Sequence, residues 1–271
     1  MQALRDLVPR LMSALALLAI ALPLVVIGGP ALAFLAAIVG MVSWWEYWNL
    51  LRGTSLHVDR SLGLIILAGV PWLALLPQSY WVLFWLLIPL TLALATLIHR
   101  APERELGTIA GTALGLTWLL PGVFSIVAVR QWPDARQGLL WLLFGSVVII
   151  SSDTFAYFGG RVIGRHRFFP AISPKKTVEG VVVGSVVAVA LAVAFGIFIL
   201  EREWWVAGSI GLFVTLSGIV GDLFESFLKR WCSKKDSGTL LPGHGGVLDR
   251  IDSWLFALPV LLICVMLVTR G

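Results

Sequence analysis

The sequence predicts an all-α, polytopic integral membrane protein with about nine transmembrane helices. The chain is 59% hydrophobic and 13% charged, whereas soluble domains are about a quarter charged, so lipid is the expected solvent for most of its surface. Apolar runs long enough to cross a bilayer recur throughout and lack the alternation of β-barrel strands, which favours helices. Lys and Arg are also distributed unevenly between the two sides that these runs define.

The expected spans follow one another with short connections. Arg5 and Arg10 precede the first apolar run, as in a signal peptide, but no small-residue cleavage site is evident and a second run follows at once. We therefore expect a retained helix there. The nine spans are placed near residues 11–28, 30–51, 61–77, 79–98, 106–129, 138–159, 178–200, 205–228 and 254–269.

Charge sets the expected orientation. With nine spans, sixteen of the 20 Lys and Arg residues fall on one side and four on the other. This bias predicts a cytoplasmic N-terminus and an external C-terminus in the cell's inner membrane. Basic loops beside anionic membrane lipids account for the net charge of +5, so no nucleic-acid partner is needed.

The polar chemistry is concentrated in the second half of the chain. We divide the sequence into N-terminal transmembrane helices over 1–137, where no motif is evident, and a catalytic transmembrane region over 138–271. Cytoplasmic loops are expected at 160–177 and 229–253.

Carboxylates inside apolar spans are rare and usually functional. Four are expected in the cytoplasmic parts of their helices: Glu46, Asp153, Asp222 and Glu225. Asp222, Glu225, Ser226 and Lys229 share one helical face by their spacing, and the alternative is an amphipathic helix end with an internal ion pair. For Glu46, a structural carboxylate is as good an interpretation as a functional one.

The stretch 226–252 combines cations, carboxylates and glycines in the manner of a metal–polyphosphate site. Gly245 and Gly246 would let the backbone approach a ligand closely. His244 is either a general base or a turn histidine that hydrogen-bonds phosphate or a neighbouring carboxylate. Asp252 or Ser253 could simply be a helix N-cap. The other charged residues of this stretch are Lys229, Arg230, Lys234, Lys235, Asp236, Asp249 and Arg250.

A second polar stretch, 173–180, could bind anions. Ser173 and the start of the following helix offer free N–H groups, and Lys175 and Lys176 add two ammonium groups. The alternative is that both lysines only mark the cytoplasmic side of the membrane.

The order of residues in 226–252 resembles the signature of the phosphatidate cytidylyltransferases, also called CDP-diacylglycerol synthases. We find no departure in spacing or residue type, and Asp153, the 173–180 stretch and the many-span layout also resemble that family. The signature positions are Ser226, Leu228, Lys229, Arg230, Lys235, Asp236, Gly238, Leu241, Pro242, His244, Gly245, Gly246, Val247, Asp249, Arg250, Ile251 and Asp252.

The resemblance implies that CTP and phosphatidic acid react to give CDP-diacylglycerol and pyrophosphate, with dependence on Mg²⁺ or a similar divalent cation. Independently of the resemblance, the residue types predict Asp222, Asp249 and Ser226 as metal ligands, since a divalent cation such as Mg²⁺ prefers oxygen donors. The predicted catalytic set is completed by Lys229, Lys235 and His244. The predicted substrate-binding residues are Ser226, Arg230, Asp236, Gly245, Gly246, Arg250, Asp252, Ser173, Lys175, Lys176 and Asp153.

Two other functions stay open at this point. A sister enzyme could use CTP with another lipid, as a polyprenol kinase or an ether-lipid cytidylyltransferase. An ion-coupled transporter is disfavoured because no inverted repeat or mid-membrane acid pair is evident. Assembly into a homo-oligomer is also left open.

Overall fold

The computed structural model describes residues 18–81, 90, 102–241, 243 and 245–270. Within these ranges the chain is predominantly helical, with one small antiparallel β-hairpin and a short 3₁₀ helix at Gln78–Trp81. The elements are α1 (Leu18–Ile27), α2 (Gly29–Leu51), α3 (Arg60–Leu73), α4 (Pro102–Gln131), α5 (Ala135–Ile163), β1 (Arg167–Phe169), β2 (Ser173–Thr177), α6 (Val178–Phe198), α7 (Trp204–Trp231) and α8 (Leu248–Arg270).

The predicted all-α, multi-pass class is confirmed. Six described helices, α2 and α4 to α8, are long and apolar enough to cross a membrane. The expected span 61–77 corresponds to α3, whose 14 residues extend only about 21 Å, less than the roughly 30 Å hydrocarbon core. Most of the expected span 79–98 and the start of the span 11–28 lie outside the described residues.

Packing divides the chain into two compact units. The first contains residues 1–128 and 231–251, and the second contains 129–230 and 252–271. The sequence-based division at 137/138 stays a prediction.

In the first unit, aromatic side chains hold the C-terminal half of α2 in place. The Tyr47 ring lies 5.7 Å from that of Trp44 and 6.2 Å from that of Trp118, measured between ring centroids. The Tyr47 hydroxyl donates to the Gly111 carbonyl at 2.9 Å. This end of α2, which carries Glu46, is therefore a rigid part of its unit.

In the second unit, small residues bring the helices close together. A Cβ added at Gly184 of α6 would lie 2.4 Å from the Ser152 carbonyl oxygen of α5, and one added at Gly221 of α7 would lie 2.5 Å from the Asp252 carbonyl oxygen. Such close backbone approach is typical of membrane helices. The buried small residues of α6 repeat every four positions: Gly180, Gly184, Ala188, Ala192 and Gly196.

Both expected polar loops are shorter than predicted. The helix α5 continues to Ile163, and β1 and β2 then pair with Arg167 opposite Thr177 and Phe169 opposite Ser173. The Thr177 side chain caps α6 by accepting the Gly180 N–H at 3.2 Å. The expected loop 229–253 is reduced to the connection between α7 and α8, because α7 continues to Trp231 and α8 already begins at Leu248.

Candidate active site

The predicted polar face of α7 is confirmed by contacts between its side chains. Ser226 Oγ donates to Asp222 Oδ1 at 3.3 Å, and Lys229 Nζ donates to Glu225 Oε2 at 2.6 Å. The Glu225 side chain is fully buried and that of Lys229 is 13% exposed. The internal ion pair considered from the sequence therefore exists, but it uses only half of the face.

A lysine from the hairpin completes this face. Lys176 of β2 forms an ion pair with Asp222 of α7, and both side chains are about three-quarters buried. Arg230 Nε also donates to the Ile172 carbonyl at 3.3 Å. The hairpin is thus attached to α7 at both Asp222 and Arg230, so the 173–180 stretch lies beside the polar face of this helix.

Asp252 belongs to the same group of side chains. Its carboxyl group accepts the Ser253 N–H at 2.7 Å and lies within electrostatic range of Glu225, Asp222 and Asp153. The N-cap interpretation of Asp252 is wrong, because α8 begins four residues earlier. We call this set the carboxylate cluster: Asp153, Asp222, Glu225 and Asp252, with Lys176 and Lys229.

The predicted anion site at 173–180 has a different local structure from the one expected. The residues Ser173–Thr177 form β2, and the first N–H groups of α6 include one that Thr177 already binds. Lys175 is exposed. A phosphate contact by Ser173 and Lys175 stays a prediction.

In the first unit, the connection between α7 and α8 folds around Asp249. Its Oδ2 atom accepts three hydrogen bonds, from Ser237 N at 2.9 Å, Ser237 Oγ at 2.9 Å and Gly246 N at 2.8 Å. Gly245 has a φ of +81°, a conformation that L side chains rarely adopt. A Cβ there would also lie 2.6 Å from Asp249 Oδ2, so this glycine is required by the fold itself.

Glu46 is the residue that sequence reasoning left unassigned. It is fully buried and accepts the N–H groups of Val247 at 2.9 Å and Leu248 at 2.7 Å. The one feature of the sequence that indicated a role for Glu46 was the presence of a carboxylate inside an apolar span. The side chains of Lys235, Asp236 and Arg250 are exposed and their roles stay predictions, while His244 lies outside the described residues.

The oxygen donors of the carboxylate cluster fit a divalent cation in kind. Carboxylate and hydroxyl oxygens are the ligands that Mg²⁺ takes from proteins, and Asp222 and Glu225 here each pair with one ammonium group. No group of three or more His, Cys, Asp and Glu side chains is already arranged around one point among the described residues. The metal roles of Asp222, Ser226 and Asp249 therefore stay predictions.

Comparison with known proteins gives consistent matches. A profile described as "Cytidylyltransferase family" matches residues 8–268. A phosphatidate cytidylyltransferase of Bacillus subtilis is 34% identical over 252 residues, which is 88% of this chain and 90% of that protein. One of Staphylococcus haemolyticus is 31% identical over 93% of this chain and 96% of its own length. One of Helicobacter pylori is 42% identical over about half of each chain.

Proposed function

The chain belongs to the cytidylyltransferase family, and from this premise we propose that it transfers the cytidylyl group of CTP to phosphatidic acid. A phosphate oxygen of the lipid attacks the α-phosphorus of CTP. The bond from that phosphorus to the oxygen bridging the α- and β-phosphates breaks, and the products are CDP-diacylglycerol and pyrophosphate. The observation that carries this proposal is the Lys176–Asp222 pair, which joins the 173–180 stretch to the polar face of α7, one turn before the 226–252 stretch begins.

The reaction requires little help with proton transfer. The second pKa of a phosphate monoester is about 6, so the lipid phosphate is already mostly a dianion at neutral pH. The larger obstacle is repulsion between this dianion and the triphosphate, which cationic side chains reduce. We assign that role to Lys176 and Lys229, whose ammonium groups can move from their carboxylates to phosphate oxygens, with Lys235, Arg230 and Arg250 as further phosphate contacts.

We propose that a divalent cation is also held here. Asp222, Ser226 and Asp252 would supply its oxygen ligands, and the further assignment of Asp249 stays a sequence-based prediction. When bound, such an ion neutralises charge on the triphosphate and stabilises the leaving pyrophosphate. The residues Asp222 and Glu225 also keep the lysines oriented until the substrates arrive.

The reaction is tested by incubating the purified protein with CTP labelled at the α-phosphate and with different lipid phosphates. We expect labelled CDP-diacylglycerol and pyrophosphate with phosphatidic acid. Release of CDP with a polyprenol would identify a kinase, and preference for an ether lipid would identify a sister cytidylyltransferase. Absence of any CTP-dependent product would overturn the proposal.

We also propose that the site faces the cytoplasm, where CTP is found. Thr239 is exposed in the connection between α7 and α8, unlike the buried Ser237, and is therefore suited to labelling. In a background lacking Cys232 and Cys264, Thr239→Cys should react with an impermeant thiol reagent in inverted vesicles and not in intact cells. Gly271→Cys, at a position outside the described residues, should behave in the opposite way. Labelling of position 239 from outside would contradict the proposed function.

A further inference from the structure

Glu46 binds backbone groups at the beginning of α8. Its Oε1 accepts the Val247 N–H at 2.9 Å, and its Oε2 accepts the Leu248 N–H at 2.7 Å. The first N–H groups of a helix have no partner within the helix, and a carboxylate there also interacts favourably with the helix dipole. Both oxygens of one buried carboxylate are thus used as acceptors, 201 and 202 residues away in the sequence.

The Glu46 carboxylate also packs against the residues that orient Asp249. Ser237 Oγ lies 3.4 Å from Glu46 Oε2 and donates its shorter hydrogen bond, 2.9 Å, to Asp249 Oδ2. Gly246 donates its N–H to the same oxygen at 2.8 Å. Because Gly246 is followed directly by the two residues that bind Glu46, a shift of Glu46 would shift the donors of Asp249.

Two glycines of the signature are small because Glu46 is next to them. A Cβ added at Gly238 would lie 2.8 Å from Glu46 Oε1, and one added at Gly246 would lie 2.5 Å from Glu46 Oε2 and 2.3 Å from Ser237 Oγ. Neither position requires a left-handed backbone. Their lack of a side chain is therefore explained by contact with this carboxylate, without any bound ligand.

A second contact attaches the same end of α2. Lys234 Nζ donates to the Asn49 carbonyl at 2.5 Å and to the Leu50 carbonyl at 3.1 Å. Both are among the last carbonyls of α2, and that of Asn49 also accepts the Arg52 N–H at 3.4 Å. The segment 234–248 is therefore fastened to α2 at both of its ends.

We propose that Glu46 is a positioning residue, which fixes the connection between α7 and α8 so that Asp249 and the Gly245–Gly246 turn are held in their reactive arrangement. It acts through the N–H groups of Val247 and Leu248 and touches neither substrate. The catalytic consequence rests on the proposed function, whereas the anchoring itself rests on the hydrogen bonds above. It assigns a role in the reaction to α2, in the half of the chain that carries no signature.

The test uses the full-length protein in detergent with Glu46→Gln. Glutamine has the same shape but replaces one acceptor oxygen by an NH₂ group, which would then face a backbone N–H. We expect turnover to fall about a hundred-fold, as for a misplacement of about 1 Å, while the KM for phosphatidic acid changes less than about two-fold. Hydrogen–deuterium exchange at Val247 and Leu248 should become at least about ten-fold faster, since each amide loses protection.

Two further variants make the test specific. Glu46→Asp keeps both acceptor oxygens and should recover part of the activity and of the exchange protection lost in Glu46→Gln. Glu203→Gln, an exposed glutamate before α7, is the matched control and should change neither quantity. If Glu46→Gln does not accumulate, Gly238→Ala should produce the same losses of turnover and of exchange protection. Both losses should be smaller when Gly238→Ala is combined with Glu46→Asp, because the shorter aspartate side chain leaves room for the added methyl group.

Several outcomes would overturn the inference. Unchanged exchange at Val247 and Leu248 in Glu46→Gln would show that the anchor does not exist. A reduced yield with normal turnover per folded molecule would show that Glu46 supports the fold only. Failure of the wild-type protein to form CDP-diacylglycerol would instead refute the proposed function, and the exchange measurement would still decide whether Glu46 anchors the connection.

Discussion

The two compact units each contain buried or half-buried carboxylates, but these have different partners. In the second unit, Asp222 and Glu225 are paired with the ammonium groups of Lys176 and Lys229. In the first unit, Glu46 and Asp249 accept hydrogen bonds, most of them from backbone N–H groups. An ammonium group on a flexible side chain can move to a phosphate, whereas a backbone N–H is held by the fold. The carboxylates paired with lysines are therefore suited to exchanging partners with a substrate, whereas those bound to backbone N–H groups are held in fixed positions.

The largest effect is expected for Asp222→Asn. If this carboxylate holds a cation and orients Lys176, turnover should fall by about 10² to 10³, the usual range for loss of one electrostatic contact to the reacting groups. The protein should remain folded and membrane-inserted, since Asp222 is partly exposed. We would measure CDP-diacylglycerol formation across a magnesium titration, with Glu203→Gln as control. Near-normal activity would remove Asp222 from the site.

Substitutions of Asp249 should lower the stability of the protein as well as its turnover, unlike substitutions of Asp222. Asp249→Asn is expected to abolish most turnover. Asp249→Ala should also lower the free energy of unfolding by about 2–4 kcal/mol, because three donors lose a charged acceptor, whereas Asp222→Ala should not. Thermal unfolding in detergent compares the two alanine variants. Equal stability of both variants would contradict the distinction between a carboxylate bound by backbone N–H groups and one paired with a lysine.

Substitutions of the two lysines of the carboxylate cluster should also differ in whether they affect stability or substrate binding. The Lys229–Glu225 pair is almost fully buried and the Lys176–Asp222 pair is not. Lys229→Ala should therefore destabilise the protein by about 3 kcal/mol, as expected when a buried charge loses its partner. Lys176→Ala should mainly raise the KM for CTP, by about ten-fold for one charged contact. Arg136→Ala, at an exposed position of α5, is the control; equal effects of both lysine variants would argue against separate roles.

The smallest effect is expected for His244→Ala. The lipid phosphate needs no general base, so this residue should act through hydrogen bonding or turn geometry and cost about ten-fold or less in turnover. The pH–rate profile is the decisive measurement. Loss of a limb near pH 6–7, the range of histidine titration, together with a fall as large as that of Asp249→Asn, would show that a general base is required after all.

Several features were predictable from local sequence because they depend on local spacing. The face of α7 follows from positions 222, 225, 226 and 229, since residues three and four apart are neighbours on a helix. The short strands β1 and β2 were not predictable, because three and five residues are too few to show a periodic pattern. The expected spans ended at 228 and began again at 254, whereas α7 ends at Trp231 and α8 begins at Leu248. The sequence pattern misplaced these bounds because charged residues in a terminal helical turn resemble the composition of a loop.

By itself, the sequence determined the membrane class and the kind of chemistry available in the 226–252 stretch. Both depend on composition and short-range order: continuous apolar runs must be helical in lipid, and clustered cations and carboxylates suit phosphate and metal ions whatever the fold. Only the tertiary structure decided which groups pair across long sequence separations. The Lys176–Asp222 pair joins residues 46 positions apart, and Glu46 meets Val247 and Leu248 across about 200 positions. Such pairings depend on how helices pack, and helix packing depends on small-residue contacts between segments that no local pattern connects.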